Sequence, residues 1–140
     1  MNDKKFKGLN HFCIDYTNYS KGEQIEKNYS PDFVLKKGTD FIILEHETEP
    51  NRKTILANIF KAAHFLQKEK TGKLIIVMNP KRGSSMKSYI KHSKKYFEWI
   101  KDFSNIEQVY FLEKVKYFQD ETVLEIGSAD FFQNSLALFP

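Results

Sequence analysis

The sequence predicts an α/β fold in which a mixed β-sheet is flanked by helices. Short apolar runs have the length of buried strands, and they lie at residues 33–35, 41–44 and 74–78. Two longer segments, about 52–70 and 86–103, repeat apolar side chains at helical spacing. Strands that alternate with helices are typical of α/β proteins with parallel strand pairs. The length of 140 residues predicts a single domain over residues 1–140.

Composition predicts a soluble protein of the cytoplasm. No segment is apolar for long enough to cross a bilayer, so no membrane contact is expected. The first residues are polar and lack the apolar stretch of a signal peptide. The only cysteine, Cys13, has no partner for an internal disulfide, which favours a reducing compartment.

The segment before residue 30 predicts one strand and little other regular structure. Residues 1–8 are polar, and we expect them to be loose. Residues 11–17 alternate with a period of two, which predicts a strand with Phe12, Ile14 and Tyr16 on one face. Residues 18–22 predict a turn-rich link, and residues 23–29 predict one or two helical turns.

A hairpin between residues 30 and 47 is the feature on which the functional prediction depends. With Gly38-Thr39 as a two-residue type II′ turn, Asp32 lies opposite Glu45. Glu47 then projects from the same face as Glu45. Like charges opposed in this way destabilise a sheet unless a cation lies between them, and carboxylate oxygens suit Mg²⁺ or Mn²⁺. A three-residue turn would instead pair Asp32 with Leu44, although the turn chemistry favours the first register.

The second hairpin strand is predicted to be central in the sheet. Both of its faces are apolar between residues 41 and 44, as expected for a strand covered on both sides. The helix that follows begins after Asn51 as N-cap and is predicted to stop at Thr71-Gly72. The next strand, residues 74–78, is then predicted to be parallel to the central one.

The second half predicts a helix, a strand and a small hairpin. Ser84 or Ser85 is the expected cap of the helix over residues 86–103, in which Phe103 is predicted to be a core residue. Residues 106–112 predict a strand, and residues 115–118 and 122–126 predict an edge hairpin. The apolar tail, residues 131–140, is expected either to pack on the core or to cover a partner chain.

The net charge of +4 is unevenly distributed along the chain. Residues 96–140 carry eight acidic residues against three lysines, whereas residues 81–95 carry no acid. A segregated basic segment predicts a surface for a polyanion such as nucleic acid, although a solvated helix face explains it equally well. The basic residues of this segment are Lys81, Arg82, Lys87, Lys91, Lys94 and Lys95.

The order of these elements resembles the PD-(D/E)XK nuclease superfamily, the family of many restriction endonucleases. The matching motifs are Pro31-Asp32 and, after the hairpin turn, Glu45-His46-Glu47 followed by a helix and a buried strand. The resemblance covers roughly residues 9–78 and implies a restriction-endonuclease-like mixed sheet with an αβββαβ-type core. The N-terminal helix of that core is expected to be short or absent here.

The resemblance implies that Asp32 and Glu45 bind Mg²⁺ or Mn²⁺ and that the chain hydrolyses DNA, with RNA left open as a substrate. The residue that is usually lysine in this family is here Glu47, which could bind the metal or act as a general base. Alternatively, Lys61 on the following helix supplies the missing lysine. Because one active site cuts one strand, cleavage of a duplex would also predict a homodimer.

Ordinary structural roles compete with this interpretation. Pro31-Asp32 is also a common start of a turn, and strand-end glutamates often pair with surface lysines. Lys61 is by default a surface lysine that packs its stem on the helix, and His46 is expected to be a hydrogen-bonded core histidine. The missing lysine therefore motivates an alternative function, a catalytically inactive nuclease-like subunit that binds nucleic acid or another protein.

Overall fold

A computed structural model describes residues 1–80 and 85–139 of the chain. Its elements follow in the order α1 (Asp3–Lys7), β1 (Thr17–Ser20), β2 (Phe33–Lys37), β3 (Asp40–Glu47), α2 (Arg52–Phe65), β4 (Thr71–Met78), α3 (Met86–Ile100), β5 (Ile106–Glu113), α4 (Lys114–Tyr117), β6 (Phe118–Gln119), β7 (Thr122–Val123), α5 (Ala129–Asn134) and β8 (Leu136–Ala137). No helix among the described residues is long and apolar enough to pass through a membrane.

Six strands form one mixed sheet in the order β1-β2-β3-β4-β5-β8. The strands β1, β2 and β3 are antiparallel neighbours, whereas β3, β4 and β5 run parallel to one another. Each parallel pair is joined by a helix, α2 or α3, as a parallel connection requires. The predicted α/β fold with a mixed sheet and flanking helices is therefore confirmed.

Helices cover both faces of this sheet. The two long helices α2 and α3 pack on one face, where Ile43 and Leu74 point. The short helices α1, α4 and α5 lie on the other face, with Leu44 and Val77. Strand β3 is buried on both sides, as its continuous apolar run predicted.

The hairpin between β2 and β3 has the predicted two-residue turn. Lys37 pairs with Asp40 and Leu35 with Ile42. Gly38 has a φ of +60°, which a type II′ turn requires at its first central position and which glycine adopts without strain. Because Leu44 pairs with Phe33 rather than with Asp32, the three-residue turn is excluded.

The N-terminal segment differs from its prediction. Residues 3–7 form the short helix α1 instead of a loose end, because Asn2 accepts a hydrogen bond from the Lys5 amide and Phe6 is fully buried. The predicted strand at residues 11–17 is wrong, since the strand β1 lies at Thr17–Ser20. The predicted helical turns at residues 23–29 are also wrong, because that segment is irregular.

The predicted faces of residues 11–17 are also reversed. Phe12 and Ile14 are 49% and 67% exposed, whereas His11 and Cys13 are buried. Asp15 has a φ of 69°, so the backbone turns there and side chains do not alternate as they would in a strand.

His11 is buried in a fully hydrogen-bonded setting. Its Nε2 lies 2.7 Å from the Phe6 carbonyl oxygen, and its Nδ1 lies 2.6 Å from the Tyr117 hydroxyl. Because a carbonyl only accepts, Nε2 carries the proton and Nδ1 accepts from Tyr117. Burial lowers the pKa of His11 to about 4, so the neutral ring is the stable form in the folded chain.

The His11 pKa predicts an acid-dependent loss of stability. The pKa lies near 6.5 in the unfolded chain and about 4 in the folded chain, so the unfolded state binds more protons between these values. The stabilisation is complete above pH 6.5 and falls by about 3 kcal/mol as the pH drops to 4. Urea unfolding of the native chain and His11→Gln at pH 7 and pH 4 measures this. The variant should lose less stability than the native chain, whereas His64→Gln, at a largely exposed ring, should follow the native chain.

The region around α2 and β4 corrects the predicted helix end. Helix α2 ends at Phe65 rather than near residue 70, and β4 begins at Thr71 rather than at residue 74. Gly72 is therefore a strand residue and not a helix stop. It pairs with Phe41, and an added Cβ would meet the Phe41 carbonyl oxygen at 2.2 Å, so glycine is required by the close approach of the two strands.

The C-terminal part packs on the core, which was one of the two predicted alternatives. Strand β8 pairs with β5, and Phe131 and Leu138 are buried. Residues 115–118 are helical for most of their length, and the hairpin consists of the shorter strands β6 and β7. Helix α3 ends at Ile100, so Phe103 lies beyond it and is exposed rather than part of the core.

Candidate active site

Asp32 and Glu45 lie side by side at the end of the hairpin. The Asp32 amide donates a hydrogen bond to Oε1 of Glu45 at 3.1 Å. The amide of His46 donates to Oδ2 of Asp32 at 2.7 Å. Both bonds join a side chain to a backbone amide just beyond the last strand pair, Phe33 with Leu44, and they hold the two residues together at this end of the hairpin.

Burial and mutual repulsion make this carboxylate pair electrostatically unfavourable. Glu45 is 9% exposed, and its pKa rises to about 8, first because it is buried and then because of the charge on Asp32. Burial also raises the pKa of Asp32, although the hydrogen bond from the His46 amide opposes that change. At neutral pH the pair therefore keeps a proton, and a bound cation would displace it.

Helix α2 directs Asn58 and Lys61 toward the carboxylates of β3. The amide of Asn58 donates a hydrogen bond to Oε1 of Glu47 at 2.7 Å. Lys61 is exposed one turn further along, and its positive charge lowers the pKa of Glu45. These two helical residues share a face because they are three positions apart. Glu47 is thus held by the helix, while Asp32 and Glu45 contact each other.

Helix α1 supplies two site contacts that the sequence did not predict. Asp3 Oδ1 lies 2.9 Å from Nδ1 of the buried His46, and Lys7 Nζ lies 3.9 Å from Oδ1 of Asp32. The ring of Phe6 stacks on His46 with centroids 4.9 Å apart. Asn2 as an N-cap before Asp3, with a large apolar residue at position 6, is the signal that would have indicated this helix.

Tyr29 is a further residue near the site that sequence reasoning did not identify. It is 3% exposed, and its hydroxyl has no hydrogen-bond partner among the described residues. Burial raises the pKa of Tyr29, and the charge on Glu45 raises it further. A buried phenol whose hydroxyl has no hydrogen-bond partner is unusual for a purely structural residue.

The basic helix α3 begins at the same end of the sheet as the carboxylates. The Tyr89 hydroxyl, near the start of α3, donates a hydrogen bond to the Pro50 carbonyl at 3.3 Å, shortly after β3. The exposed lysines of this helix are Lys87, Lys91, Lys94 and Lys95. The other two basic residues of the predicted surface, Lys81 and Arg82, lie outside the described residues.

The donor set fits a cation that retains much of its water. Within residues 1–80 and 85–139, no three His, Cys, Asp or Glu side chains are grouped to hold a metal ion. Mg²⁺ does not need such a group, because it is commonly bound by one or two carboxylates together with water and substrate phosphate. Asp32 and Glu45 supply those carboxylates, and a positive charge would stabilise the ionised form of Glu45, which burial and the charge on Asp32 disfavour.

Compared with protein-family models, curated proteins and solved structures, the chain shows no significant match. The functional interpretation therefore depends on the geometry of the site.

Proposed function

We propose that this chain is a metal-dependent nuclease that hydrolyses phosphodiester bonds in DNA. The observation that carries the proposal is the Asp32–Glu45 pair, in which burial of Glu45 and then the charge on Asp32 raise the pKa of Glu45 to about 8. Proteins tolerate such a pair most readily where a cation or a reaction uses it.

The order of elements supports a restriction-endonuclease-like fold. The short helix α1 precedes the three antiparallel strands β1–β3, which are followed by α2 and the parallel strand β4. This order corresponds to the αβββαβ-type core that the resemblance to the PD-(D/E)XK superfamily implies. Asp32 precedes β2, and Glu45 and Glu47 end β3, which are the positions that this resemblance assigns to the site.

Each residue of the site has a distinct role in the proposal. A bound Mg²⁺ or Mn²⁺ ion supplies Lewis-acid chemistry, which polarises a phosphodiester and lowers the pKa of water. Asp32 and Glu45 would hold the ion, and the His46 amide orients Asp32. Asn58 holds Glu47 in place to accept a proton from water, and Lys61 contributes a positive charge beside Glu45.

The second candidate is an inactive nuclease-like subunit that binds nucleic acid. Two observations favour it: glutamate stands where the family usually has lysine, and one oxygen of Glu47 is already bound to Asn58. The exposed lysines of α3 are compatible with either function, because lysines attract the phosphates of nucleic acid whether or not the strand is cleaved.

Cleavage of circular DNA distinguishes these candidates. The native chain is incubated with supercoiled plasmid and with circular single-stranded DNA, in Mg²⁺, Mn²⁺ or EDTA. We expect the native chain to nick or linearise the DNA with Mg²⁺ or Mn²⁺ and to leave it intact in EDTA. We expect Asp32→Asn to lose this cleavage activity. Glu69→Gln, at an exposed residue in the α2–β4 connection, should retain full activity. Salt-dependent DNA binding without any metal-dependent cleavage would support the inactive subunit instead.

A further inference from the structure

A cavity of about 580 Å³ lies on the α2 and α3 side of the sheet, and neither Asp32 nor Glu45 lines it. This volume is in the range of about 300–1,000 Å³ that is typical of small-molecule sites. The lining comes from residues 26–29, from α2 and the segment just after it, and from residues 99–104 at and beyond the end of α3. Its aromatic members are Tyr29, Phe60, Trp99 and Phe103.

Two exposed aromatic rings stand together at this cavity. Trp99 is 59% exposed and Phe103 is 62% exposed, and their ring centroids are 4.9 Å apart. Adjacent large apolar side chains that remain in contact with water commonly mark a binding surface.

The cavity is linked to the candidate active site by two shared residues. Tyr29 and Lys61 both line it. The charge on Glu45 raises the pKa of Tyr29, and the charge on Lys61 lowers the pKa of Glu45, so both residues lie within electrostatic reach of the carboxylate pair. Tyr29 and Lys61 are therefore the lining residues nearest the carboxylate pair, whereas Trp99 and Phe103 line the part of the cavity at the end of α3.

The charges of the lining favour an anionic ligand. Lys27 and Lys61 contribute positive charge, and the acidic member Glu26 is within 2.9 Å of the His64 ring. Several polar groups of the lining are already bonded within the chain: the Gln67 amide donates to the His64 carbonyl, and the Ser104 hydroxyl lies 2.7 Å from the Ala63 carbonyl. The cavity is thus better suited to stacking than to reading a hydrogen-bond pattern.

We propose that this cavity binds an unpaired nucleobase of a single-stranded DNA segment, which stacks on Trp99 and Phe103. The strand that carries this base would then run past Lys61 toward Asp32 and Glu45, and this second half rests on the proposed nuclease function. Stacking on aromatic side chains is tolerant of sequence, because every base offers a π-face. The proposal implies that the chain prefers DNA with unpaired bases over a continuous duplex.

Trp99 itself reports on the cavity because it is the only tryptophan in the chain. Its fluorescence is measured in EDTA during titration with a single-stranded oligothymidylate. The controls are an abasic oligonucleotide of equal length and charge and a blunt duplex. We expect a saturable change with oligothymidylate and a much smaller change with either control. Phe103→Ala should weaken oligothymidylate binding roughly tenfold.

Phe132→Ala is the matched control, since Phe132 is 53% exposed but makes edge-on ring contacts with Tyr110 and Phe131, away from the cavity. Its affinity should equal that of the native chain. An equal response to the abasic strand would overturn the proposal, because charge alone would then explain binding. The proposal would also be overturned if Trp99 fluorescence changed with protein concentration but not with oligothymidylate, and if Phe103→Ala removed that change. A second copy of the chain, rather than a nucleobase, would then occupy the cavity.

The titration contains no free divalent cation, so its result is separate from that of the cleavage assay. Saturable base-dependent binding without cleavage would support the cavity assignment and reject the nuclease. Cleavage without a base-dependent fluorescence response would reject the cavity assignment but would be consistent with the proposed nuclease function.

Discussion

Replacing Glu45 with glutamine should abolish cleavage and should make the chain more stable above pH 8. The pKa of Glu45 is raised from 4.5 to about 8 in the folded chain, so folding favours its protonated form. The native chain therefore loses stability as the pH rises from 4.5 through 8, by an amount on the order of a few kcal/mol. Glutamine resembles the protonated acid and can still accept the hydrogen bond from the Asp32 amide.

Chemical unfolding in EDTA at pH 5 and pH 9 measures the stability part of this prediction. Glu45→Gln should match the native chain at pH 5 and exceed its stability at pH 9. Glu69→Gln is the control and should follow the native chain at both values, since Glu69 is exposed. If native chain and Glu45→Gln lost stability equally between the two pH values, Glu45 would not be the buried, proton-binding group described above.

The same variant tests the proposed cation site. Adding Mg²⁺ at pH 8 should stabilise the native chain, because a ligand that binds only the folded state adds to its stability. The same addition of Mg²⁺ should stabilise Glu45→Gln much less. Its cleavage rate should fall by roughly a thousandfold or more, since a bound cation contributes several kcal/mol to the transition state. Undiminished cleavage by this variant would remove Glu45 from the proposed mechanism.

The positions of Asp32 and Glu45 could be predicted because they depend on local chain geometry. Once Gly38 fixes a two-residue turn, strand pairing determines every opposed pair along the hairpin. The central place of β3 followed in the same way from apolar side chains on both of its faces. These signals lie within about fifteen residues and need no knowledge of the rest of the fold.

Tyr29 and Lys7 could not be found in this way because they reach the site from irregular or distant segments. Tyr29 follows a stretch without regular structure, and Lys7 reaches Asp32 only because α1 packs against the sheet. For residues 11–17 the local sequence pattern predicted a structure that the fold does not contain. Their alternating pattern suggested a strand, but the hydrogen bonds of His11 to Phe6 and Tyr117 hold that segment in a different conformation.

Gly72 is a residue whose role the sequence suggested wrongly, and its replacement should be strongly destabilising. An alanine Cβ would lie 2.2 Å from the Phe41 carbonyl oxygen and 3.1 Å from a methyl group of Leu66. Because the nearest atom belongs to the backbone of β3, the strands themselves must separate. We expect Gly72→Ala to lower the free energy of unfolding by about 3 kcal/mol, the upper part of the usual range for overpacking.

Gly8→Ala is the matched control for this substitution. Gly8 has a φ of −88°, and the nearest atom to an added Cβ is 3.6 Å away, so alanine should fit there without strain. Its stability in urea should equal or slightly exceed that of the native chain, because alanine restricts the unfolded state. If Gly72→Ala were as stable as Gly8→Ala, Phe41 could not be paired with Gly72. The register of β3 against β4, which places Glu45 beside Ile76, would then have to be different.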